Sequence, residues 1–336
     1  MPYFYKVKTI SNEEQDPNLI NPSGLLIKTD NLISKCCYEF WVANNGTGTV
    51  SHYNEKGNFL PFTGLIVPPV APAIVGSPAS LVWNDTHHFI ITDPVNNISG
   101  KSLLLTCSND GQILGWNSAV NKTSFVSAFI STDNAFYTSL VLANDLLYAT
   151  DFANNKIDVF DGNFVLQNPV SYPFTDPIPS VYSVIDIKVI DNNLNVAYSL
   201  NDGSNVITKG PGFGIVNIFD YNGNFVRRLI NSLDNLNAPY GMTFVQPDFS
   251  QYSNTTFFVG NYGDGTIQQR NLVSGEIYQY LRYDSGHNIE IENLWELYSF
   301  NNKLYFLSSP EDGNGGKLGV IERTCNDCCK CKKKKC

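Results

Sequence analysis

Six polar residues recur along the chain at intervals of about 50 residues, and their side chains could act together on one ligand. Each follows a short apolar run and precedes a turn. They are Asn44, Asp93, Asp151, Ser199, Asn261 and Ser309. At equal height around one axis, their oxygen atoms would form a ring suited to a hard cation such as Ca²⁺, which polarises carbonyl groups and activates water. The alternative is structural, because Asn and Asp also cap turns through hydrogen bonds to the backbone.

Two carboxylates, Glu296 and Asp186, are weaker candidates for general acid and base chemistry. Each lies in a segment that we predict to be an inner strand, where its side chain can face a central channel. Such chemistry requires that burial raises the pKa of one of the two carboxyl groups. A hydrogen-bonded structural role is the alternative. None of the four histidines shows metal-ligand spacing.

A third candidate is the C-terminal tail, because five of the eight cysteines fall in the last 12 residues together with five lysines. The cysteines are Cys325, Cys328, Cys329, Cys331 and Cys336. The Cys-x-x-Cys spacing suits zinc, and nearby lysines favour thiolates. A structural zinc site normally draws on two ligand pairs with a folded segment between them, which so short a tail hardly provides. Intermolecular disulfides, ionic attachment to an acidic partner, and reduced thiols in a disordered tail are the other interpretations.

The charge balance separates the tail from the rest of the chain. Without the five tail lysines, residues 1–329 carry 17 basic and 31 acidic side chains, a net charge of −14. An acidic body argues against nucleic-acid binding, since such affinity rests largely on neutralising phosphates. The N-terminus lacks the features of a secretory signal, and no apolar run approaches the roughly 18 residues of a membrane span. We therefore expect a soluble protein made in the cytosol without a signal peptide.

The elements that must position these residues are short strands joined by tight turns. In residues 139–164, three apolar or alternating runs are separated by Asn-Asp, Ala-Asn-Asn and Asp-Gly-Asn turns. Versions of this pattern occur six times with a period near 50. Their first strand opens with small or turn-forming residues, and most copies are followed by a further, outer strand. This repeat predicts an all-β fold, a six-bladed β-propeller with four-stranded antiparallel blades.

The termini predict how the ring closes. The last repeat has three strands and then meets the tail, whereas residues 3–10 form a strand that belongs to no repeat. If this N-terminal strand completes the last blade, no sheet edge stays unpaired at the junction. We therefore expect a propeller domain over residues 1–323 and a Cys- and Lys-rich tail over residues 324–336.

The amino-acid sequence of the repeats resembles that of a known family. The segments DPNLINPSGLLI (16–27), WVANNGTGTV (41–50), LYATDFANNKIDVFDGNF (147–164) and VGNYGDGTI (259–267) are similar to uncharacterised, mostly bacterial six-bladed propellers, distantly related to NHL and WD-repeat propellers. The resemblance implies the fold and brings no list of catalytic residues. Ser23 stands where the family usually has the Trp of Asn-Pro-Trp-Gly, and the tail has no counterpart there. The Asn-, Ile- and Lys-rich composition is also typical of AT-rich genomes, including those of large DNA viruses.

Two functions remain open at this stage. The first, which we favour, is a non-enzymatic binding or structural propeller that presents loops to a protein or glycan partner. In it the tail is a tether or cross-link that assembles copies, and the chain is a virion component. The alternative is a Ca²⁺-assisted lactonase or hydrolase in the central channel, as in gluconolactonase-like propellers. A channel plugged by Trp295 and Tyr240 would contradict the enzyme.

Overall fold

The regular structure consists of short antiparallel strands separated by turns. The computed structural model describes residues 3–29, 38–245, 249–250, 252 and 255–324. In these residues the regular elements are 26 strands and one short 3₁₀ helix, η1 (Glu311–Gly313). None of the helices in the described part of the chain has the length and apolar character needed to cross a membrane.

The described strands form six blades and one additional two-stranded sheet, a hairpin inserted in blade 2. In each blade an inner strand lies at the ring axis, followed outward by two middle strands and, except in blade 3, an outer one. The first half of the chain holds β1 (Tyr5–Asn12); blade 1 with β2 (Pro22–Thr29), β3 (Tyr38–Asn44), β4 (Thr49–Asn54) and β5 (Leu65–Ile66); blade 2 with β6 (Pro78–Trp83), the inserted hairpin β7 (Ile90–Thr92) and β8 (Ser99–Lys101), then β9 (Leu104–Ser108), β10 (Gln112–Trp116) and β11 (Val126–Ile130); and blade 3 with β12 (Tyr137–Ala143), β13 (Leu146–Asp151) and β14 (Lys156–Phe160).

The second half repeats the arrangement. It holds blade 4 with β15 (Tyr182–Ile190), β16 (Asn193–Asn201), the short β17 (Ile207–Thr208), β18 (Ile215–Phe219) and β19 (Phe225–Ile230); blade 5 with β20 (Pro239–Phe244), β21 (Thr256–Asn261), β22 (Ile267–Asn271) and β23 (Ile277–Tyr280); and blade 6 with β24 (Leu294–Phe300), β25 (Lys303–Ser308) and β26 (Lys317–Arg323). In blade 3 the outer position is reduced to one bridge between Phe160 and Leu166. The predicted six-bladed β-propeller is confirmed.

Ring closure by the N-terminal strand is also confirmed. Strand β1 pairs antiparallel with β26, from Tyr5 opposite Arg323 to Asn12 opposite Lys317, and so supplies the outer strand of blade 6. Glu322 strengthens this seam through ion pairs with Lys8 at 2.6 Å and with Lys303 at 3.0 Å. Both ends of the described chain are therefore held in one sheet.

The apolar core is divided among the contacts between neighbouring blades. Among the described residues, six clusters of buried side chains each join two adjacent blades, so the set runs once around the ring. The cluster between blades 6 and 1, for example, packs Phe40 and Leu25 against Tyr305 and Leu307. Because burial of apolar area is the main favourable term in folding, each blade depends on both of its neighbours.

The inner strands approach one another closely at the axis. A Cβ atom added to Gly24 in blade 1 would lie 2.7 Å from the Cα atom of Ser80 in blade 2. Only a residue without a side chain fits there, which is the physical reason for the small residues at the starts of the repeats.

Candidate functional site

The inner strand of every blade carries a register shift near its first residues. A bulge of this kind re-aims a side chain relative to the regular ladder. The residues skipped by the ladder include one from each blade that lines a cavity at the axis: Ser23, Ala79, Thr138, Ile185, Tyr240 and Trp295. We call the end of the channel where the inner strands begin the upper mouth, and the opposite end the lower mouth.

The upper mouth is a cavity of about 270 Å³ whose walls carry no formal charge. Beyond the six bulge residues it is lined by asparagines, aromatic side chains and part of one loop: Asn21, Asn45, Asn109, Phe136, Phe152, Tyr262 and residues 205–207. None of these is Asp, Glu, Lys, Arg or His. The cavity therefore suits a small uncharged ligand.

One wall of the upper mouth is aromatic. The ring centroids of Trp295 and Tyr262 are 4.3 Å apart, and that of Tyr240 lies 5.2 Å from Trp295 in an edge-on arrangement. The indole Nε1 of Trp295 donates a hydrogen bond to Asn21 Oδ1 at 3.1 Å, which holds the indole ring in place. Aromatic rings held in this way offer flat apolar faces to a ligand.

The other wall is a chain of side-chain amides. Asn21 Nδ2 donates to Asn45 Oδ1 at 3.4 Å, Asn45 Nδ2 donates to Asn109 Oδ1 at 2.6 Å, and Asn109 Nδ2 donates to the carbonyl of Tyr137 at 3.0 Å. With Trp295 at its start, this chain runs from blade 6 through blades 1 and 2 to blade 3. Each amide has two donors and an acceptor with two lone pairs, so the wall keeps capacity for a polar ligand.

A loop of blade 4 covers part of the upper mouth. We call residues 202–209 the strap; its strand β17 makes two ladder pairs with β16. At its end, the Lys209 ammonium donates to Asn293 Oδ1 at 2.7 Å and lies 4.2 Å from the centre of the Tyr262 ring. The strap thereby links blade 4 to blades 5 and 6 over the cavity.

Tyr240 contributes to the floor of the upper mouth. Its hydroxyl donates a hydrogen bond of 2.6 Å to the carbonyl of Thr138, so the side chain reaches across the axis from blade 5 to blade 3. Burial, together with the negative charges of Asp186 and Glu296, raises the pKa of Tyr240 well above its usual value. The hydroxyl is therefore a neutral donor.

The predicted polar ring is only partly formed, because the bulges set the register. Asn44, Asp151 and Asn261 occupy one ladder position, opposite Pro22, Tyr137 and Pro239. The same position in the other blades holds Ser108, Tyr198 and Ser308. The predicted Ser199 and Ser309 thus lie one residue beyond the ring.

Asp93 lies outside the ring for a different reason. The run that resembles a second strand of blade 2 is the inserted hairpin β7–β8, and Asp93 opens its turn. There Asp93 Oδ1 accepts a hydrogen bond from the Val95 amide, and Oδ2 accepts one from Asn96. The true second strand, β9, comes later and ends at Ser108.

The three true ring members bond to their own surroundings. Asp151 Oδ1 accepts the Phe136 amide at 3.0 Å, Asn261 Oδ1 accepts the Asn237 amide at 3.1 Å, and Asn44 Nδ2 donates to a serine hydroxyl. Across the described ranges, no three His, Cys, Asp or Glu side chains come together as a metal-ligand group.

The structure does bring Glu296 and Asp186 together, with a lysine between them. Lys188 Nζ lies 2.7 Å from Glu296 Oε2 and 3.5 Å from Asp186 Oδ1. Ser139 Oγ donates to Asp186 Oδ1 at 2.7 Å, and the Leu297 amide donates to Glu296 Oε1 at 3.0 Å. We call Asp186, Lys188 and Glu296 the axial triad. It joins blade 4 to blade 6, and the hydrogen bond from Ser139 connects it to blade 3 as well.

Burial dominates the electrostatics of the axial triad. It raises the pKa of Glu296 to about 7, although the neighbouring Lys188 charge acts in the opposite direction. Burial alone would lower the pKa of Lys188, but the charges of Asp186 and Glu296 outweigh it and leave that pKa above its usual value. Lys188 is therefore a cation at neutral pH, and the pKa of Glu296 lies close to neutral pH.

The cysteines give no site in the described part of the chain. The tail candidates lie outside the described residues: Cys325, Cys328, Cys329, Cys331 and Cys336. Cys107 is a free, fully buried thiol in blade 2, and burial raises its pKa to about 12. It is a core side chain rather than a nucleophile.

Comparison with solved structures finds propeller enzymes that share the fold. A streptogramin B lyase aligns with a TM-score of 0.56 at 9% identity, covering 95% of this chain and 98% of the lyase. The PQQ-bound aldose sugar dehydrogenase of Streptomyces coelicolor aligns with a TM-score of 0.59 at 13% identity, covering 96% and 99% of the two chains. At such identity these likenesses establish the architecture alone.

Sequence comparison finds viral relatives, whereas no protein-family profile matches the chain. The uncharacterized protein L690 of Acanthamoeba polyphaga mimivirus is 34% identical over 75% of this chain and 66% of its own length. Protein R640 of the same virus is 30% identical over 96% of this chain and 59% of its length. Protein R648 is 30% identical over 95% of this chain and 79% of its own length. The chain therefore belongs to the family of the mimivirus protein R648, and it has the six-bladed propeller fold.

Proposed function

We propose that the chain is a non-catalytic binding propeller that holds one uncharged sugar residue of a glycan in its upper mouth. The observation that carries this proposal is the combination of an aromatic wall, an amide chain and no charged lining residue in one cavity of about 270 Å³. Small-molecule sites generally pair apolar surface with a few placed polar groups, as this cavity does.

The chemistry of the two walls matches the two sides of a sugar ring. The C–H faces of a pyranose pack on flat aromatic rings such as that of Trp295. Its hydroxyl groups both donate and accept hydrogen bonds. Asn45 Oδ1 can accept a further hydrogen bond, and Asn109 Nδ2 has a second N–H beside the one bonded to Tyr137. None of the lining residues carries a charge that could pair with a charged sugar, and an unpaired ion is costly when it is desolvated.

The enzyme alternative, a Ca²⁺-assisted lactonase or hydrolase, draws less support from the same geometry. The carboxylates of Glu296 and Asp186 are 3% and 0% exposed, and neither residue lines the upper mouth. Tyr240 crosses the axis, and the ring residues Asn44, Asp151 and Asn261 bond to turns and to their own blades. Binding without catalysis therefore accounts for more of what the cavity contains.

The test is saturation-transfer NMR with three matched probes: methyl glucoside, glucuronate and glucosamine. We expect saturation of the neutral methyl glucoside signals alone, and loss of this effect in Trp295→Leu. Trp83→Leu, which removes a tryptophan at the lower mouth, is the matched control and should bind normally. Equal binding by Trp295→Leu, or preference for either charged probe, would contradict the proposal.

For the tail we propose attachment: residues 324–336 tether or cross-link copies of the propeller, as in a component of a virus particle. The support is the density of cysteines and lysines there and the viral origin of the three relatives. We also infer that the bacterial propellers which the repeats resemble are distant members of this family. Non-reducing electrophoresis should show oligomers that disappear when residues 325–336 are deleted, and monomer in both samples would refute attachment.

A further inference from the structure

The lower mouth is a second, larger cavity at the opposite end of the axis, with a volume of about 470 Å³. All six blades contribute to its lining, which includes Leu25, Leu81, Leu140, Met242 and Leu297. No lining residue is shared with the upper mouth. A cavity of this size lies within the range of small-molecule sites, about 300–1,000 Å³.

One charged residue lines this cavity, whose surface is polar as well as apolar. Lys188 is the sole charged residue in the described lining, and its side chain is 20% exposed. Its ammonium has three N–H donors, of which Glu296 Oε2 takes one and Asp186 lies beside a second. The third N–H is bonded to neither carboxylate and could donate to a molecule in the lower mouth.

The charges of the axial triad decide what kind of head group fits. Asp186 and Glu296 already flank Lys188, so above pH 7, where Glu296 is ionised, an anionic head group would add a third negative charge around one cation. A cationic head group would meet the ammonium directly, because Asp186 and Glu296 are buried and do not line the cavity. An uncharged oxygen acceptor has neither disadvantage and gains a charge-assisted hydrogen bond.

We propose that the lower mouth binds an uncharged apolar molecule with one carbonyl or hydroxyl oxygen, such as a medium-chain ketone or alcohol, whose oxygen accepts a hydrogen bond from Lys188. The hydrocarbon chain lies against the apolar side chains of the six inner strands. This site is independent of the sugar-binding proposal, since the axial triad and Tyr240 separate the two mouths.

Methionine labelling supplies a direct test. The sequence has two methionines, Met1 and Met242, and Met242 lines the lower mouth. In protein labelled with ¹³C at the methionine methyl group, 2-octanone should shift the Met242 signal saturably. At pH 8 and below their micelle concentrations, octanoate and octylammonium should bind at least about tenfold more weakly. Octanoate brings a negative charge next to two ionised carboxylates, and octylammonium cannot accept a hydrogen bond from Lys188.

Two matched variants locate the site. Val189, which is 41% exposed and lines the lower mouth, is replaced in Val189→Trp to fill the entrance, and 2-octanone binding should be lost. Val226, which is 52% exposed on the outer strand of the same blade, is replaced in Val226→Trp as the control, and binding should persist. Trp295→Leu should also leave 2-octanone binding unchanged, which separates this site from the upper mouth.

A double variant tests the role of the lysine. Lys188→Met combined with Glu296→Gln removes the cation and one of its two carboxylates together, so at pH 8, where Glu296 is ionised, the net charge of the triad stays at −1. We expect the affinity for 2-octanone to fall about tenfold and the discrimination against octylammonium to disappear. Equal binding of the three probes to the unmodified protein, or no effect of Val189→Trp, would overturn the proposal.

Discussion

Replacement of Glu296 by Gln should remove a pH dependence of stability that centres on the axial triad. The pKa of Glu296 is about 7 in the folded chain, against an ordinary value of 4.5, so the folded state binds this proton more tightly than the unfolded state. Its stabilising contribution is complete below about pH 4.5 and is lost as the pH rises through 7. Linkage over this window gives about 2 to 3 kcal/mol between about pH 5 and pH 8.

The assay is urea denaturation of the unmodified protein and Glu296→Gln at several pH values in this range. The groups that face Glu296 are Lys188 and Asp186 from blade 4, Tyr240 from blade 5, and Tyr298 on its own strand. These groups and the histidines are present in both proteins, so the difference between the two stability curves isolates Glu296. That difference should change by about 2 to 3 kcal/mol, with the unmodified protein losing more as the pH rises. Parallel curves would refute the assigned pKa.

Three further substitutions test other parts of the structure. Tyr240→Phe removes the hydrogen bond to the Thr138 carbonyl across the axis and should lower the free energy of unfolding by about 1 to 2 kcal/mol, measured in urea. Gly24→Ala places a methyl group against the Ser80 backbone and should cost about 1 to 3 kcal/mol, whereas a neutral result would mean that the inner strands yield there. Burial would raise the pKa of Glu322, but its lysine partners outweigh burial and lower that pKa to about 2. The stabilisation that Glu322 gives to the folded state is therefore present above about pH 4.5 and is lost as the pH falls through 2. In an acid titration, the free energy of unfolding of Glu322→Gln should therefore fall by less than that of the unmodified protein. The difference should be about 1 kcal/mol after allowance for solvent screening.

The architecture could be predicted from the sequence because its signals are local and repeated. Turn residues and alternating runs mark each strand, and a period near 50 counts the blades. The unpaired strand at residues 3–10 also indicated the closure, which the structure places at Tyr5–Asn12. Errors arose where one repeat carries an insertion: the hairpin β7–β8 imitates a second strand, so Asp93 was assigned to the ring in place of Ser108.

The site was less predictable because bulges change register without a distinct sequence signal. In blades 4 and 6 the inner strand has one residue that the ladder skips, so Ser199 and Ser309 lie outside the ring. In blade 6 the skipped residue is Trp295, whose side chain lines the upper mouth. The pairing of Glu296 with Asp186 was anticipated, but Lys188 was missed. Its signal was the i, i+2 spacing from Asp186, which places both side chains on one face of the strand.

The pairing of β1 with β26 has a consequence for how the disk can be displayed. Since Tyr5 lies opposite Arg323 at the lower side of blade 6, the described chain both enters and leaves at one point of the rim. A surface that bound either end of the described chain would therefore hold the propeller at one corner of blade 6, with the upper mouth directed away from the support. Many copies held in this way, side by side, would present their upper mouths outward.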